Sequence, residues 1–178
     1  MKIEKVRYIK GLIGVQKYTS AKTSVNTLTK VYTKMDFSRG DVILDYGGGK
    51  YDTNKDYMKT MGKVLYVYDP FNRPEAENKE VIHQIITRGG ADYVVCANVL
   101  NVIAEDYVIQ EILTNVWNFT KPGGIMYIQI YEGNKTGNME PTTRGFQRNW
   151  KADNYVRFFN GQTYKKSGNI FTLEKPVV

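Results

Sequence analysis

Apolar and polar positions follow two different periods along the chain, and together they predict strands separated by helices. Four continuous apolar runs are typical of strands buried on both faces. They are Val42–Tyr46, Lys63–Tyr68, Ala91–Ala97 and Ile125–Tyr131. Elsewhere apolar residues recur every three or four positions, as in helices that bury one face. The helices predicted in this way are Ser20–Met35, Glu75–Arg88 and Glu105–Phe119. A further helix is predicted from Asp52 or Thr53, either of which can cap it, to about Met61, before Gly62.

This alternation predicts an α/β protein with a Rossmann-like, doubly wound and mostly parallel sheet, covered by helices on both faces. The last part of the chain has a different pattern. There we expect a loop at Glu132–Asn149, a helix at Lys151–Asn160 and an antiparallel hairpin of Gln162–Lys166 with Asn169–Glu174. We expect one domain over residues 1–178, with an N-terminal arm and helix (1–40), a core (41–131) and a C-terminal segment (132–178).

Composition does not change the predicted fold, but it bears on where in the cell the protein is located. The chain has 178 residues, of which 24% are charged and 42% hydrophobic, as in an ordinary globular domain. No apolar run approaches the roughly 20 residues that span a bilayer, and the N-terminus lacks a secretory signal. The single cysteine, Cys96, lies in a predicted strand and is expected to be buried filler. We therefore expect a cytoplasmic protein without a membrane partner.

Charge is unevenly distributed. The net charge is +7 over residues 1–40, −5 over 41–132 and +5 over 133–178, which makes +7 for the whole chain. Basic ends on a mildly acidic centre fit a polyanionic partner such as a nucleic acid. They fit an ordinary solvated surface equally well.

Candidate functional residues follow three of the predicted strands. Asp45–Gly49, Asp69–Phe71 and Asn98–Leu100 each follow an apolar run. In a doubly wound sheet, loops at the carboxyl ends of neighbouring strands meet in one crevice, where ligands bind. A turn of three glycines and a carboxylate 24 positions after Asp45 fit a nucleotide cofactor, because that acid can accept hydrogen bonds from ribose hydroxyls.

The spacing of the glycines bears on the kind of cofactor. A dinucleotide site has the pattern Gly-x-Gly-x-x-Gly, and its last glycine allows close packing of the helix. Counted from Gly47, that last position is Asp52, so the pattern fails. The sequence Asp45-Tyr46-Gly47-Gly48-Gly49 instead matches Asp-x-Gly-x-Gly.

In these segments the chain resembles the class I S-adenosylmethionine-dependent methyltransferases. The resemblance is carried by Val42–Gly49, Tyr66–Asp69, Ala91–Leu100, and Lys121–Gly124 before Ile125–Tyr131. Asp69–Arg73 and Asn98–Ile103 are similar to segments of small phage-borne and DNA-modification-associated methyltransferases. The resemblance implies methyltransferase activity with S-adenosyl-L-methionine as cofactor.

The resemblance also implies a set of contacts. Backbone groups of Tyr46, Gly47, Gly48 and Gly49 would approach the methionine moiety, and Asp45 would lie near its ammonium. Asp69 would accept both ribose hydroxyls, while Pro70 and Phe71 would flank the adenine. Asn98 and Val99 would line the strand end where the acceptor meets the methyl group, with Asn98 positioning the acceptor.

Two departures from the family pattern stand out. The family commonly has a third glycine two positions after Gly49, where this chain has Tyr51. The family also usually fits a helix, a strand and another helix between Asp69 and Ala91, where this chain has room for one helix. We therefore predict that the usual third strand is missing or vestigial, and with it the acid that contacts the adenine amino group.

The sequence does not identify the methyl acceptor. The DNA amino-methyltransferases of this fold carry an Asp/Asn-Pro-Pro-Tyr motif, whereas this chain has Asn98-Val99-Leu100-Asn101, without the prolines and the stacking aromatic. The segment 142–151 combines cations and aromatics, as nucleic-acid-binding surfaces do. Its candidate substrate-side residues are Arg144, Phe146, Arg148 and Trp150. The alternative is an ordered loop with core aromatics and solvated cations.

Four functions compete. The first is methylation of a nucleic acid or another anionic substrate, and the second is methylation of a small metabolite. The third is S-adenosylmethionine binding without catalysis, and the fourth is dinucleotide binding. No metal is expected, because one histidine and one cysteine cannot furnish the usual sites. His83 lies in the middle of a predicted helix and is not expected to be catalytic.

Overall fold

The computed structural model describes Tyr18 and residues 25–178, and its centre is a six-stranded sheet. A separate two-stranded hairpin, β5–β6, lies outside that sheet. The strands are β1 (Val42–Tyr46), β2 (Val64–Tyr68), β3 (Ala91–Ala97), β4 (Thr120–Gln129), β5 (Met139–Thr142), β6 (Gly145–Arg148), β7 (Tyr164–Ser167) and β8 (Ile170–Glu174).

Helices connect the strands. They are α1 (Lys30–Lys34), α2 (Thr53–Thr60), α3 (Glu75–Thr87) and α4 (Asp106–Phe119), with 3-10 helices at Leu100–Val102 and Ala152–Phe158. None of the helices in the described part of the chain is long and apolar enough to cross a membrane.

The strand order of the large sheet is β2-β1-β3-β4-β8-β7. Strands β2, β1, β3 and β4 are parallel, while β8 runs antiparallel to β4 and pairs with β7 in the C-terminal hairpin. The chain leaves β1 toward β2 on one side and returns to β3 on the other. The carboxyl ends of these three strands therefore flank the point where the strand order reverses, which is the usual ligand crevice of such a sheet.

Each face of the sheet carries its own apolar core. One core packs α3, α4 and the second 3-10 helix against alternate strand residues such as Leu44 and Val94. The other packs α1 and α2 against the intervening residues, including Ile43, Val67 and Val95. The period of two along each strand directs side chains alternately to the two cores. The predicted doubly wound α/β fold is confirmed.

The absence of the third strand is also confirmed. Between β2 and β3 the chain forms only the helix α3, so β2 is the edge strand of the sheet. The predicted helices after Asp52, Glu75 and Glu105 and the C-terminal hairpin are present, with ends within two residues of the predicted ones.

The first predicted helix is wrong over part of its length. Residues 20–24 lie outside the described chain, and residues 25–29 are not helical, since α1 spans only Lys30–Lys34. Thr29 has an extended backbone, and its N–H donates to the side chain of Asn54 at 2.9 Å. Val25 is 61% exposed rather than packed on a helix face. Val25 and Thr29 instead line the cavity at the carboxyl ends of the strands.

The region after Gly124 needs three corrections. The predicted loop Glu132–Asn149 contains the hairpin β5–β6, and the predicted helix Lys151–Asn160 is a 3-10 helix. Strand β4 begins at Thr120 rather than Ile125 and ends at Gln129 rather than Tyr131. Its pairing with β3 shifts register between Ala91 and Tyr93, and this irregularity accommodates the predicted break at 121–124.

Candidate functional site

A cavity opens at the carboxyl ends of β1, β2 and β3, where the sequence placed a cofactor site. The three predicted loops all contribute to it, together with the segment that precedes α1. Its lining residues are Val25, Thr29, Gly47, Gly48, Gly49, Asp69, Asn72, Ala97, Asn98 and Val99. The loops meet because their strands are adjacent and parallel in the sheet.

The turn after β1 requires glycine for two reasons. Gly47 and Gly49 have φ angles of 81° and 79°, in the left-handed region that side chains disfavour. A Cβ on Gly47 would lie 2.6 Å from Cγ2 of Val99. The turn thus brings the backbone against the loop after β3, and the space beside it stays free of side chains.

Asp69 organises two loops at once. The residue is only 2% exposed. One carboxylate oxygen accepts the N–H of Gly49 at 2.9 Å, and the other accepts the N–H groups of Phe71 and Asn72 at 3.0 Å each. A carboxylate has about four acceptor positions. Because backbone N–H groups occupy three, Asp69 can accept one further hydroxyl in this arrangement, not the two expected from the sequence.

The Gly49 N–H is consequently used inside the protein. The N–H groups of Gly47 and Gly48 are used as well, since both donate to the carbonyl of Tyr68, at 2.7 and 3.3 Å. These donors hold the turn in shape. The backbone N–H contacts to a methionine moiety that the resemblance implied are therefore not free in this arrangement.

Asn78 fixes the backbone of Asp69 from behind. Its side-chain oxygen accepts the Asp69 N–H, and its side-chain nitrogen donates to the Asp69 carbonyl, both at 2.9 Å. Asn78 is buried on α3 among apolar residues. This pair of bonds explains why an amide occupies the inner face of that helix.

Asp45 lies under the glycine turn and is buried. Burial in apolar surroundings raises the pKa of its carboxyl to about 6, against the lowering effect of Tyr32 and Asn54. Asn54 donates to it at 3.3 Å, while the Tyr32 hydroxyl lies nearby without hydrogen-bond geometry. A buried carboxylate in this position would be stabilised by a cation in the crevice.

Arg73 clamps the glycine loop from the edge of the sheet. Its Nε donates to the carbonyl of Gly49 at 2.9 Å and its Nη2 to the carbonyl of Tyr51 at 3.0 Å. Its Nη1 pairs with Asp52 at 2.8 Å, and the Arg73 side chain is only 8% exposed. A planar guanidinium suits such a fork of acceptors. The clamp lies at the open edge of the sheet, on the loop that follows β2.

Asn98 ends β3 with an unusual backbone. Its φ is 59°, and its N–H donates to the carbonyl of Gln129 at 2.8 Å. Its side-chain oxygen accepts from Nε2 of Gln129 at 3.1 Å. Gln129 is buried, and its own oxygen accepts the N–H of Val31 at 3.0 Å. The amide that faces the crevice is therefore tied to the start of α1.

The segment before α1 is held over the crevice by a second side-chain amide. Asn54 accepts the Thr29 N–H and donates to the Thr29 hydroxyl, both at 2.9 Å. The same Asn54 nitrogen donates to Asp45. Asn54 thus links the covering segment to the acid beneath the glycine turn.

Several predicted site residues lie outside the cavity lining. The Tyr46 side chain is buried in the core, where its hydroxyl accepts from Asn115 at 2.9 Å, so only its backbone faces the turn. Pro70 and Phe71 adjoin the cavity without lining it, and Asn72 takes that place. Asp45 is buried beneath the glycine turn and does not line the cavity either. The remaining predicted residues, Gly47, Gly48, Gly49, Asp69, Asn98 and Val99, do line it.

The candidate substrate-side residues serve mainly to build the protein. Arg148 is fully buried and donates to the carbonyls of Ile103 and Ala104 and to Asp106, at 2.6, 2.8 and 2.7 Å. The Trp150 ring lies between the guanidinium groups of Arg148 and Arg157, with distances of 4.6 and 5.0 Å to the ring centre. These contacts match the alternative interpretation of that segment.

Phe146 and Arg144 have surroundings different from those of Arg148 and Trp150. Phe146 is buried and stacks on Tyr18, with ring centres 5.3 Å apart. Arg144 alone of the four is an exposed cation. A phosphate-binding surface formed by this segment would therefore have to rely on Arg144 and the exposed Lys151 rather than on Arg148, which corrects the expectation from the sequence.

Other ionisable groups bear on the chemistry only weakly. His83 is exposed on α3, and Cys96 is buried in β3, where burial raises the pKa of its thiol. Within Tyr18 and residues 25–178, no group of three His, Cys, Asp or Glu side chains is arranged to hold a metal ion.

Sequence reasoning missed the polar residues that support the site. Arg73, Asn78 and Gln129 all hold backbone groups around the crevice. Asn78 carried a usable signal, because an amide on the apolar face of an amphipathic helix has to find a buried partner. Gln129 gave a similar signal, because a polar side chain inside an apolar strand also has to find a buried partner.

Comparisons with known proteins give matches only at the level of structure. No protein-family model matches the chain, and no curated protein matches it. The 1,6-didemethyltoxoflavin-N1-methyltransferase of Burkholderia thailandensis, solved with 1,6-didemethyltoxoflavin and S-adenosylhomocysteine, superposes with a TM-score of 0.58. The identity is 15%, over 78% of this chain and 72% of that one.

Two further solved structures are similar. A methyltransferase dependent on S-adenosylmethionine from Aquifex aeolicus gives a TM-score of 0.52 at 13% identity, over 84% of this chain and 88% of that one. Human N-acetylserotonin methyltransferase, in complex with S-adenosylmethionine, gives 0.54 at 17% identity, over 97% of this chain and 57% of that one. The chain has the Rossmann-like fold of the class I S-adenosylmethionine-dependent methyltransferases.

Proposed function

We propose that the protein is an S-adenosylmethionine-dependent methyltransferase. The observation that carries the proposal is the convergence of the glycine turn, Asp69 and the loop at Asn98 on one cavity at the reversal of strand order. Solved methyltransferases of the same fold contain S-adenosylmethionine or S-adenosylhomocysteine. That likeness supports the choice of cofactor.

The residues present fit such a cofactor. Asp69 keeps one acceptor position for a ribose hydroxyl, and the buried Asp45 carboxylate favours a cation such as the methionine ammonium above it. Gly47, Gly48 and Gly49 line the cavity, where the chain that joins ribose and ammonium would lie. Val25 and Thr29 cover the crevice, which helps to exclude water.

The cofactor supplies an activated methyl group on a sulfonium. A lone pair of the acceptor forms the new bond to the methyl carbon while the carbon–sulfur bond breaks, and S-adenosylhomocysteine leaves. Any proton on the acceptor passes to water. The protein mainly holds donor and acceptor in line, which can contribute about 7–11 kcal/mol to lowering the barrier.

For the acceptor we propose a small molecule rather than a nucleic acid. Arg148 and Phe146 are buried, and two guanidinium groups lie over the Trp150 ring, so Arg144 and Lys151 are the cations of this segment that are exposed to phosphates. The basic ends of the chain remain the argument for a polyanion. A nucleic-acid substrate would lose affinity steeply as salt rises. Retention of DNA or RNA in a salt-dependent manner would contradict the small-molecule proposal.

Calorimetry tests the proposed cofactor. S-adenosylhomocysteine should bind one site per chain, and NAD should not compete with it. Binding of NAD without binding of S-adenosylhomocysteine would overturn the proposal. Transfer of a radiolabelled methyl group to any member of an acceptor panel would then distinguish the enzyme from a protein that only binds the cofactor.

A further inference from the structure

The orientation of the Asn98 side-chain amide follows from a backbone group on another element. The N–H of Val31 can only donate, and it donates to the side chain of Gln129 at 3.0 Å. The Gln129 atom that it meets must therefore be the oxygen. The Gln129 nitrogen, which can only donate, then faces Asn98 at 3.1 Å.

The positions of the oxygen and the nitrogen in the Asn98 side-chain amide are fixed in the same way. The atom that faces the Gln129 nitrogen must be the Asn98 oxygen, because two donors would oppose each other otherwise. The Asn98 nitrogen is consequently directed away from Gln129, and no other side chain or carbonyl in the described residues accepts from it. Asn98 is exposed and lines the cavity. The relay from Val31 thus leaves two N–H donors at the carboxyl end of β3.

We infer that Asn98 selects acceptor substrates by donating hydrogen bonds to an electron-rich group beside the methyl donor. The inference rests on the proposed methyltransferase function and deepens it. Substrates of this class carry a carboxylate, a phenolate or enolate oxygen, or an unprotonated ring nitrogen at or next to the methylated atom. Ammonium groups are disfavoured, since they have no acceptor and would place donor against donor.

The backbone supports this role for Asn98. Its φ of 59° lies in the left-handed region, which asparagine, aspartate and glycine tolerate and most other residues do not. Such a conformation holds the amide at one place on the rim of the crevice. It also makes two substitutions available that keep the backbone, Asn98→Asp and Asn98→Gly.

A pair of planar probes of similar size tests the inference. Benzoate only accepts hydrogen bonds at its charged end, and benzamidine only donates. With saturating S-adenosylhomocysteine, whose ammonium would meet Asp45 and whose ribose would meet Asp69, we expect the wild-type protein to bind benzoate about tenfold more tightly than benzamidine, as expected for hydrogen bonds to a charged group. Dissociation constants are measured by nuclear magnetic resonance titration, both with and without S-adenosylhomocysteine. Without it the carboxylates of Asp45 and Asp69 also attract benzamidine, so the readout there is the change in the ratio of the two dissociation constants between the wild type and Asn98→Gly, which is measured even if the cofactor fails to bind.

Variants at position 98 decide whether the preference for benzoate depends on the Asn98 amide. Asn98→Asp keeps one oxygen for Gln129 and replaces the two donors by an acceptor, so the preference should reverse. Asn98→Gly removes the amide, so the preference should disappear. The control is Asn160→Asp, which changes the net charge equally at an exposed residue outside the crevice lining that also has a positive φ, of 51°. It should keep the wild-type preference.

Three outcomes would overturn the inference. One is equal binding of the two probes by the wild-type protein with saturating S-adenosylhomocysteine, which includes binding of neither. Another is a preference that survives in both Asn98 variants. The third is loss of S-adenosylhomocysteine affinity in Asn98→Asp with an unchanged probe preference, because the amide would then belong to the cofactor. Failure of S-adenosylhomocysteine to bind the wild-type protein would instead refute the proposed function.

Discussion

At the scale of single residues, Gly47 combines two constraints that can be separated experimentally. Its φ is 81°, and a Cβ would lie 2.6 Å from Val99. Gly62 has a similar φ of 75° with nothing within 4 Å of the added Cβ. Gly62→Ala should therefore lower the free energy of unfolding by about 1–2 kcal/mol, the cost of the left-handed conformation. Gly47→Ala should lower it by about 1–3 kcal/mol more, because of overpacking.

Urea unfolding of the two variants measures the difference. Only Gly47→Ala should also weaken the binding of S-adenosylhomocysteine, since Gly62 lies at the far end of α2. Equal losses of stability in the two variants, or equal effects on binding, would show that the close approach to Val99 is unimportant.

Asp45 should make stability and binding depend on pH in opposite directions. The pKa of its carboxyl is raised from the usual 3.8 to about 6, chiefly by burial. The folded state then binds more protons than the unfolded state between these values, so this group lowers stability as pH rises from about 4 to about 6. Above that window the cost reaches about 3 kcal/mol at most.

Asp45→Asn removes the cost and, by our account, a ligand contact. The free energy of unfolding should rise by up to about 3 kcal/mol at pH 8 and stay unchanged at pH 3.5. The affinity for S-adenosylhomocysteine should fall at pH 8, and its decline below pH 6 in the wild type should disappear. His83→Gln, which removes the only histidine, should keep the wild-type profile. A wild-type affinity that is independent of pH would contradict the role of Asp45.

At the scale of elements, Arg73 joins the loop after β2 to the loop after β1. Arg73→Lys keeps the charge but cannot donate to Gly49 and Tyr51 at once. We expect a loss of about 1–3 kcal/mol in the free energy of unfolding, since a buried carbonyl loses its partner. Affinity for S-adenosylhomocysteine should fall as the glycine loop loosens. Arg88→Lys, at an exposed position at the end of α3, is the matched control.

The measurements are chemical unfolding and calorimetry on both variants. Indistinguishable behaviour of Arg73→Lys and Arg88→Lys would mean that the clamp does not hold the cofactor loop. A loss of stability without a loss of affinity would confine Arg73 to a structural role.

Elements with a strong apolar period could be predicted from the sequence, and the others could not. Strands β1 to β3 are continuous apolar runs, and helices α3 and α4 bury a regular apolar face, which the sequence displays. Helix α2 buries only Met58 and is indicated instead by its capping residue and by Gly62. All four residues of β5 are exposed, and one of them is Pro141, so no alternation marks that strand. Strand β6 buries Arg148 where a polar residue would be expected to face water. Its buried position depends on carbonyls and a carboxylate from a distant loop.

In the site, too, some features could be predicted from the sequence and others could not. The residues whose chemistry comes from the main chain or from a strand end, such as Gly47 and Asp69, could be predicted because the pattern of strands places them. The occupation of Asp69 by three backbone N–H groups could not, since it depends on how two loops fold against each other. The relay through Gln129 depends on a contact between residues 98 positions apart.

At the scale of the whole molecule, the sheet ends at β2 and supplies no further strand toward the adenine side of the proposed cofactor. Residues 69–91, which the structure describes completely, form helix α3 and no strand between β2 and β3, so no strand places an acid there. S-inosylhomocysteine, which lacks the adenine amino group, should therefore bind within about fivefold of S-adenosylhomocysteine, less than the effect of one net hydrogen bond. Competition calorimetry measures the ratio. A loss of more than tenfold would reveal a contact to that amino group.

The claim on which the rest depends is that Asp69 holds the ribose of S-adenosylmethionine. Calorimetric titration with S-adenosylhomocysteine of the wild-type protein and of Asp69→Ala, both at a temperature where circular dichroism shows them folded, tests it most directly. We predict one binding site in the wild type and a loss of about 1–3 kcal/mol of binding free energy in the variant. Unchanged affinity in the folded variant, or no binding by the wild-type protein, would contradict the account.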